Sequence, residues 1–267
     1  MSGGQIRVGV GGWTYEPWRG TFYPPGLVQK HELEYASSKL TSIEINGTFY
    51  GAQKPETFAR WHDETSAGFV FSLKAPRYAT HRSDLAAAGG AVKRFVTGGL
   101  LNLQDKLGPI NWQFMPETAF APADFEAFLK LLPKEIEGRP LRHAVELRHE
   151  SFRVAEVIAM ARHHDVALVI AGDSRYPQIA DVTASFVYVR IQGTRSKEEQ
   201  GYSESALDRW AKRAQCWATG SAPDDLDTIA KERMPVVPRD VYLYVIGGHK
   251  VANPAAAQAL IKRVTPS

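Results

Sequence analysis

The sequence holds one cysteine, Cys216. A lone thiol excludes an internal disulfide and any cysteine-based metal cluster. No apolar run approaches the ~18 residues a membrane span needs, so no membrane association is expected. An excess of one charge is also missing. The 32 basic and 29 acidic residues leave a net charge of +3. That is too small for a nucleic-acid footprint, and nucleic acid is not expected as a partner. No HxH or HExxH spacing occurs, so no metal ligand is assigned and no cofactor is expected. The opening Met-Ser-Gly-Gly-Gln lacks the features of a secretory leader, which makes a reducing cytoplasm the expected compartment. The sequence is silent on oligomeric state.

What is present is ordinary in amount and unusual in arrangement. The 267 residues are 44% hydrophobic and 23% charged, enough for one large core. Period-two runs at 6–12, 42–46, 69–74, 109–114, 143–149, 166–171, 186–192 and 241–246 predict eight strands. Most lead into patterns of spacing three and four. These predict helices over 29–40, from Pro55, around Val92 and Phe95, over 123–132, beyond Val154, around Leu207–Trp217 and after Asn253, which is expected to cap a helix opened by Pro254. No boundary, repeat or low-complexity stretch interrupts residues 1–267, which read as one domain. Strand and helix in alternation predict a (β/α)8 TIM barrel of class α/β.

Parity supports that architecture. In strands two, three, four, five and seven, β-branched, Leu or aromatic residues hold one face and polar or charged residues the other. Helices cover the outside of a parallel barrel, so the polar face must look into the lumen. The C-terminal rim, where barrel sites lie, would then carry Glu44, Asn46, Lys74, Gln113, Glu146, Arg148, His149, Asp173, Arg190 and Gln192, with His81 and His249 nearby. Trp13 and Tyr15, from a loop that also holds Trp18, Phe22 and Tyr23, would roof it, either as a packed lid or as a ligand platform. Gly9-x-Gly11-Gly12 is no dinucleotide loop, because Tyr15 stands where its third glycine belongs. Ser151 reads as a helix cap rather than a nucleophile.

The motifs resemble a known family. They are Gly12-Trp13-x-Tyr15-x-x-Trp18-x-Gly20-x-Phe22-Tyr23-Pro24, Glu44-x-Asn46-x-Thr48-Phe49-Tyr50, Phe69-x-Phe71-x-x-Lys74, Leu107-Gly108-Pro109 leading to Gln113, and Val145-Glu146-x-Arg148-His149-x-Ser151-Phe152. In this order, over nearly the whole chain, they are similar to the DUF72, or YecE-like, proteins. The resemblance implies a TIM barrel and names no activity. Two strand ends depart from its pattern. Arg190-Ile191-Gln192-Gly193 replaces an Arg-x-His-Gly ending, and Val245-Ile246-Gly247-Gly248-His249 replaces a Phe-Asn-Asn ending.

Two inward carboxylates, Glu44 and Glu146, face three cations, Lys74, Arg148 and Arg190. The expected pocket is net positive and suits a carboxylate or phosphate. The leading reading is an enzyme with hydrolase- or isomerase-like acid/base chemistry on an anionic or hydroxylated small molecule. Glu146 would be the general acid/base, Glu44 its partner carboxylate, Lys74 the stabiliser of an anionic centre, and His149 and His81 proton shuttles. One alternative is a divalent-metal hydrolase or isomerase using Glu44, Glu146 and Asp173. Others are a non-catalytic module binding a metabolite or nucleic acid, and a purely structural ion network.

Overall fold

In the computed structural model, which describes residues 3–265, the alternating runs form parallel strands of one sheet. They are β1 (Ile6–Gly11), β2 (Ser42–Ile45), β3 (Val70–Lys74), β4 (Leu107–Gln113), β5 (His143–Glu146), β6 (Ala167–Leu168 and Ile170–Gly172), β7 (Phe186–Ile191) and β8 (Asp240–Val245). Each pairs with its neighbours in sequence, and β8 returns to β1. The ring closes through β6, which is interrupted at Val169. Its first half pairs with β5 and its second with β7, while the Val169 N–H donates to the Val145 carbonyl at 3.0 Å. The nine ladder segments are therefore eight barrel strands.

The helices are α1 (Glu32–Lys39), α2 (Gly47–Tyr50), α3 (Pro55–Asp63), α4 (Arg77–Thr80), α5 (Gly89–Val96), α6 (Pro122–Leu131), α7 (Ala155–His164), α8 (Glu204–Ala218) and α9 (Asn253–Val264). Among the described residues none is long and apolar enough to cross a membrane. No helix separates β6 from β7, and an irregular segment makes that connection. Boundaries differ from the sequence reading by a few residues. β2 stops at Ile45 because Asn46 already turns into α2. β4 starts at Leu107, which pairs with Phe71 across a bulge. The expected helix over 29–40 opens as a 3-10 turn, Gln29–His31, before α1. Asn253 is not a cap. Ala252 holds that position, and the Asn253 amide oxygen accepts from Thr194 Oγ1 at 2.8 Å. Ser151 likewise caps no helix of its own, and accepts from the Phe120 N–H at 2.7 Å.

The barrel wall separates two cores. Val8, Val10, Ile43, Phe71, Leu73, Ile110, Trp112, Val145, Val189 and Leu243 point out against the helices. Val70, Ala144, Ala167, Val169, Phe186, Tyr188, Tyr242 and Tyr244 fill the lower lumen. The parity read from sequence thus sorts side chains as a packed barrel requires. At the outer layer Trp112 donates through its indole N–H to His143 Nδ1 at 3.0 Å. His143 therefore carries its proton on Nε2 and donates it to the Pro133 carbonyl at 2.8 Å. Burial pushes this imidazole down to about 4, so it stays neutral.

The lower lumen sets the height of everything above it. Register places Gly9 between Tyr244 of β8 and Ser42 of β2. The Tyr244 hydroxyl reaches across it to Ser42 Oγ at 2.7 Å and Ser72 Oγ at 2.5 Å. A Cβ at position 9 would stand 1.8 Å from the Ser42 carbonyl oxygen, so glycine is needed for the close approach of β1 and β2. Two tyrosines, Tyr188 and Tyr244, have ring centroids 5.2 Å apart. They form the apolar base on which the polar layer rests.

Candidate functional site

Above that base the strands deliver charge. Glu44, on β2, and Glu146, which ends β5, are fully buried, and Arg190 on β7 is 3% exposed. Arg190 lies between the two carboxylates. Its Nη2 is 3.1 Å from Glu44 Oε1 and its Nη1 donates to Glu146 Oε2. The Tyr188 hydroxyl donates to Glu44 Oε2 at 2.6 Å. Asn111 Nδ2 is shared between Glu44 and Glu146, at 3.3 and 3.4 Å. Arg148 grips Glu146 Oε1 through Nε and Nη2, at 2.9 and 2.8 Å, and Gln113 Nε2 donates to Oε2 at 2.8 Å.

Glu146 therefore accepts from five N–H donors. Burial pushes its carboxyl up, but Arg190, then Arg148, the Gln113 hydrogen bond and Lys74 outweigh it and hold the group at about 2. A carboxylate held there is ionised across the neutral range and is a weak base. Its geometry suits an electrostatic anchor better than the general acid/base expected from sequence. Arg190 is pushed down by burial and pulled up more strongly by Glu146 and Glu44, and it remains a cation.

Lys74 is different. It ends β3 and is 8% exposed. Its ammonium lies 3.9 Å from the centroid of the Phe49 ring. Among the described residues no ion pair or side-chain hydrogen bond involves its Nζ, whereas Arg148 and Arg190 are both paired. Two guanidiniums balance two carboxylates, so Lys74 is the surplus charge. Burial is the largest cause lowering it, Arg190 adds to that, and the opposing pull of Glu44 and Glu146 is insufficient. Lys74 falls to about 8.

His81 stands at the mouth with its ring 5.2 Å from Phe49, edge to face. Burial lowers its pKa, and Lys74, Arg148 and Arg77 lower it further. The outer face of Arg148 stacks on Tyr176, 4.2 Å from the ring centroid. Asn46 borders β1 closely enough that a Cβ on Gly11 would meet its Nδ2 at 2.7 Å. Gln192 is half-buried, and its Nε2 has no partner.

The rim residues expected from sequence do not all converge. Glu44, Gln113, Glu146, Arg148 and Arg190 form one hydrogen-bonded layer with Asn111, and Lys74 and His81 flank Phe49 beside it. Asp173 is exposed and turns to the outer side of β7, where its Oδ2 accepts from the Trp210 indole at 2.8 Å. The trio Glu44, Glu146 and Asp173 therefore does not assemble, and among the described residues no group of three acidic, His or Cys side chains could hold a metal ion. His249 is exposed and borders a groove with Thr21, Phe22 and Pro254. His149 Nδ1 is engaged by Ser151 Oγ at 2.8 Å. Trp13 packs on Trp61 of α3, at 5.2 Å between centroids, and Tyr15 on Trp18 at 5.5 Å, with Lys250 Nζ 4.1 Å from its ring centroid. Trp18 and Tyr23 are fully buried, and Phe22 and Tyr23 pack on Tyr35 of α1, so the aromatic loop is chiefly packing against α1, α3 and the segment before α9.

Four residues of the layer were not singled out from sequence. Tyr188 and Asn111 lay on inward faces and could have been found by extending the parity rule. Phe49 sat inside a quoted motif, with no sign that it would hold a cation. Tyr176 belongs to the irregular segment after β6, where no periodicity exists to place it.

Comparison with known proteins agrees with the motifs. The family described as protein of unknown function DUF72 matches residues 7–266. The YecE protein of Escherichia coli K12, a UPF0759 protein, is 29% identical over 150 residues, 55% of this chain and 50% of that protein; the chain thus spans about half the length of this curated relative. A DUF72 family protein of Thermotoga maritima superposes with a TM-score of 0.70 at 20% identity, covering 96% of this chain and 97% of the other. One from Enterococcus faecalis gives 0.71 at 15%, covering 98% and 96%. A fusion protein with a xylose isomerase-like TIM barrel gives 0.52 at 11%, covering 94% of this chain and 41% of its own. At such identities the superpositions speak for the barrel alone, whereas the family match runs through both carboxylate strands and the Lys74 strand: the chain belongs to the DUF72 family.

Proposed function

We propose that this protein is an enzyme performing acid/base chemistry, of hydrolase or isomerase type, on a small anionic or hydroxylated molecule at the C-terminal mouth of the barrel. One observation carries the reading. Within the lumen, Glu44, Glu146, Arg190 and Arg148 cancel pairwise and leave the Lys74 amine at the end of β3 unmatched. A titratable group so placed can accept or donate a proton near neutral pH. Glu44 and Glu146 hold Arg190 and Arg148 in place and set the local field. Lys74 and the open edge of Arg148 attract the anionic part of the ligand. His81 exchanges the proton with water, and Asn46, Gln113 and Gln192 offer hydrogen bonds that fix orientation. Asp173, His249, Trp13 and Tyr15 act, on this reading, through the loops that border the mouth.

Thermal-shift titration with lactate, glycolate, inorganic phosphate and glycerol phosphate, followed by proton exchange in deuterated buffer by NMR, tests the proposal. The parent protein is expected to be stabilised by at least one of these anions, and to exchange a carbon-bound or hydroxyl-adjacent proton of a bound hydroxy acid. Lys74→Met should lose the exchange and keep its fold. Equal stabilisation and equal exchange in the two proteins would remove Lys74 from the chemistry, and no response to any anion would remove the site.

A further inference from the structure

We propose that Lys74 acts as a nucleophilic amine, forming an imine with a small carbonyl compound that carries a carboxylate or phosphate. The inference rests on the anionic-ligand reading above and deepens it. An amine adds to a carbonyl only as the free base, so a lysine used this way must be kept from holding its proton by its surroundings. Around Lys74 they do so. Among the described residues its Nζ has no carboxylate within ion-pair reach and no hydrogen-bond acceptor, because Arg190 and Arg148 have taken Glu44 and Glu146. The two guanidiniums that neutralise the floor also repel a third cation. The amine is also held in place, lying against the face of Phe49 at 3.9 Å on the rigid end of a strand. The Phe49 side chain is itself 6% exposed, so that surface is fixed rather than mobile.

The chemistry balances without any further reagent. The Nζ lone pair attacks the carbonyl carbon, and the carbonyl π pair moves to oxygen, which takes up a proton. The resulting carbinolamine loses its hydroxyl as water after a second protonation, leaving a C=N bond; the nitrogen gives up one proton in the course of the two steps. His81, beside Phe49 with its pKa lowered, is placed to shuttle these protons. An iminium replaces the ammonium, so the cation that Glu44 and Glu146 face is retained. It also becomes an electron sink for the bond adjacent to the substrate carbon. A carboxylate or phosphate on the carbonyl compound would face Arg148 Nη1, whose one contact is with the Tyr176 hydroxyl at 3.4 Å.

The test is reductive trapping of the full chain at neutral pH with cyanoborohydride and, in separate arms, glyoxylate, pyruvate, glycolaldehyde phosphate and acetaldehyde. Adducts are located by peptide mass spectrometry. At a pKa near 8 the free-base fraction at neutrality is roughly two hundred times that of an ordinary lysine. Even after some loss of intrinsic nucleophilicity, Lys74 should label at least ~10-fold faster than the exposed Lys197. Labelling should be faster with the anionic carbonyls than with acetaldehyde; comparing the carboxylate and phosphate arms identifies the preferred anion. Lys74→Arg should show the loss of that one adduct alone, with unchanged circular dichroism. Adducts spread evenly over surface lysines, with Lys74 no faster than Lys197, overturn the proposal. If at least one of the four anions still stabilises the parent protein in that case, the acid/base reading survives without the imine; if none does, both readings fall.

Discussion

Arg190→Gln is the sharpest probe of the buried layer. The substitution keeps a polar but shorter side chain and removes the one cation that touches both carboxylates. Glu146 would keep Arg148 and Gln113, but Glu44 would keep only Tyr188 and Asn111. Breaking a buried pair by deleting one partner costs ~3–5 kcal/mol, because the stranded charge has no water to turn to. With an unfolding entropy near ~2.1 cal/mol/K per residue, a loss of ~4 kcal/mol lowers the melting temperature of a chain this size by about 7 °C. The acid limb gives a second, independent reading. Glu146 is held at about 2 in the folded chain, below its unfolded value of ~4.3. That depression contributes stability fully present above the unfolded value and lost as pH falls toward 2. It amounts to about 3 kcal/mol. With Arg190 gone the folded value rises, so this contribution shrinks at neutral pH, and its loss, which still begins near the unfolded value, is complete at a higher pH. Urea unfolding from a pH of about 2, the folded value of Glu146, up to neutral pH, with the Glu44→Gln single and double variants completing a cycle, measures both effects. The double variant should recover part of the loss, because it removes the stranded charge. An Arg190→Gln protein that unfolds within ~1 kcal/mol of its parent, with the same acid limb, would refute the premise that this guanidinium organises the floor.

Two further outcomes follow from the geometry. Lys74→Met should raise the melting temperature at neutral pH. The folded lysine sits at about 8, below its unfolded ~10.4, so the unfolded chain binds the extra proton between these values. Stability then climbs with pH across that window, and the advantage of the Met variant, on the order of 3 kcal/mol at pH 7, should fade toward pH 10; a constant advantage in differential scanning calorimetry would contradict the assigned shift. Gly9→Ala should prevent folding or leave insoluble protein, since its Cβ would meet the Ser42 carbonyl at 1.8 Å, whereas Gly51→Ala, with open space around it, should be recovered folded at close to parental yield.

The barrel was legible in the chain because both its signals are local. Alternation in β2, β3, β4, β5 and β7 is written residue by residue, and the helix patterns fill the intervals between strands. Which inward residues meet was less legible, because that depends on register between strands far apart in sequence. Glu44 and Arg190 are 146 positions apart, and nothing local shows that one guanidinium would bind two carboxylates. The same gap explains Asp173. It follows a strand end as the barrel rule requires, yet a positive φ of 51° and the Trp210 indole carry it to the outer side. His249 and Asn253 went astray for a simpler reason. Gly247 and Gly248 both adopt positive φ, at 85° and 58°, and redirect the chain after β8, so the His lands beyond the mouth and the Asn inside its helix rather than before it. The net positive pocket expected from five charges resolves into something finer, a neutral floor with one amine to spare.

A purely structural network is the strongest competitor to a functional reading, and the pattern of satisfaction separates the two. A network kept only for stability gains by closing: every buried donor finds an acceptor, since an orphan costs ~1–3 kcal/mol. Lower in the lumen the protein does this. The Tyr244 hydroxyl bonds both serines, and Ser42 Oγ also donates to the Val70 carbonyl at 2.6 Å. Higher up it does not. Arg190 Nε, Asn111 Oδ1 and Gln192 Nε2 lack partners, and the Lys74 amine has none. An apolar barrel core is often as stable as such a half-satisfied layer, although unpartnered atoms also occur elsewhere, at Trp217 Nε1 and Arg239 Nε. The open valences of the layer lie toward the C-terminal end of the barrel. Gln192, just past the end of β7, is one of them.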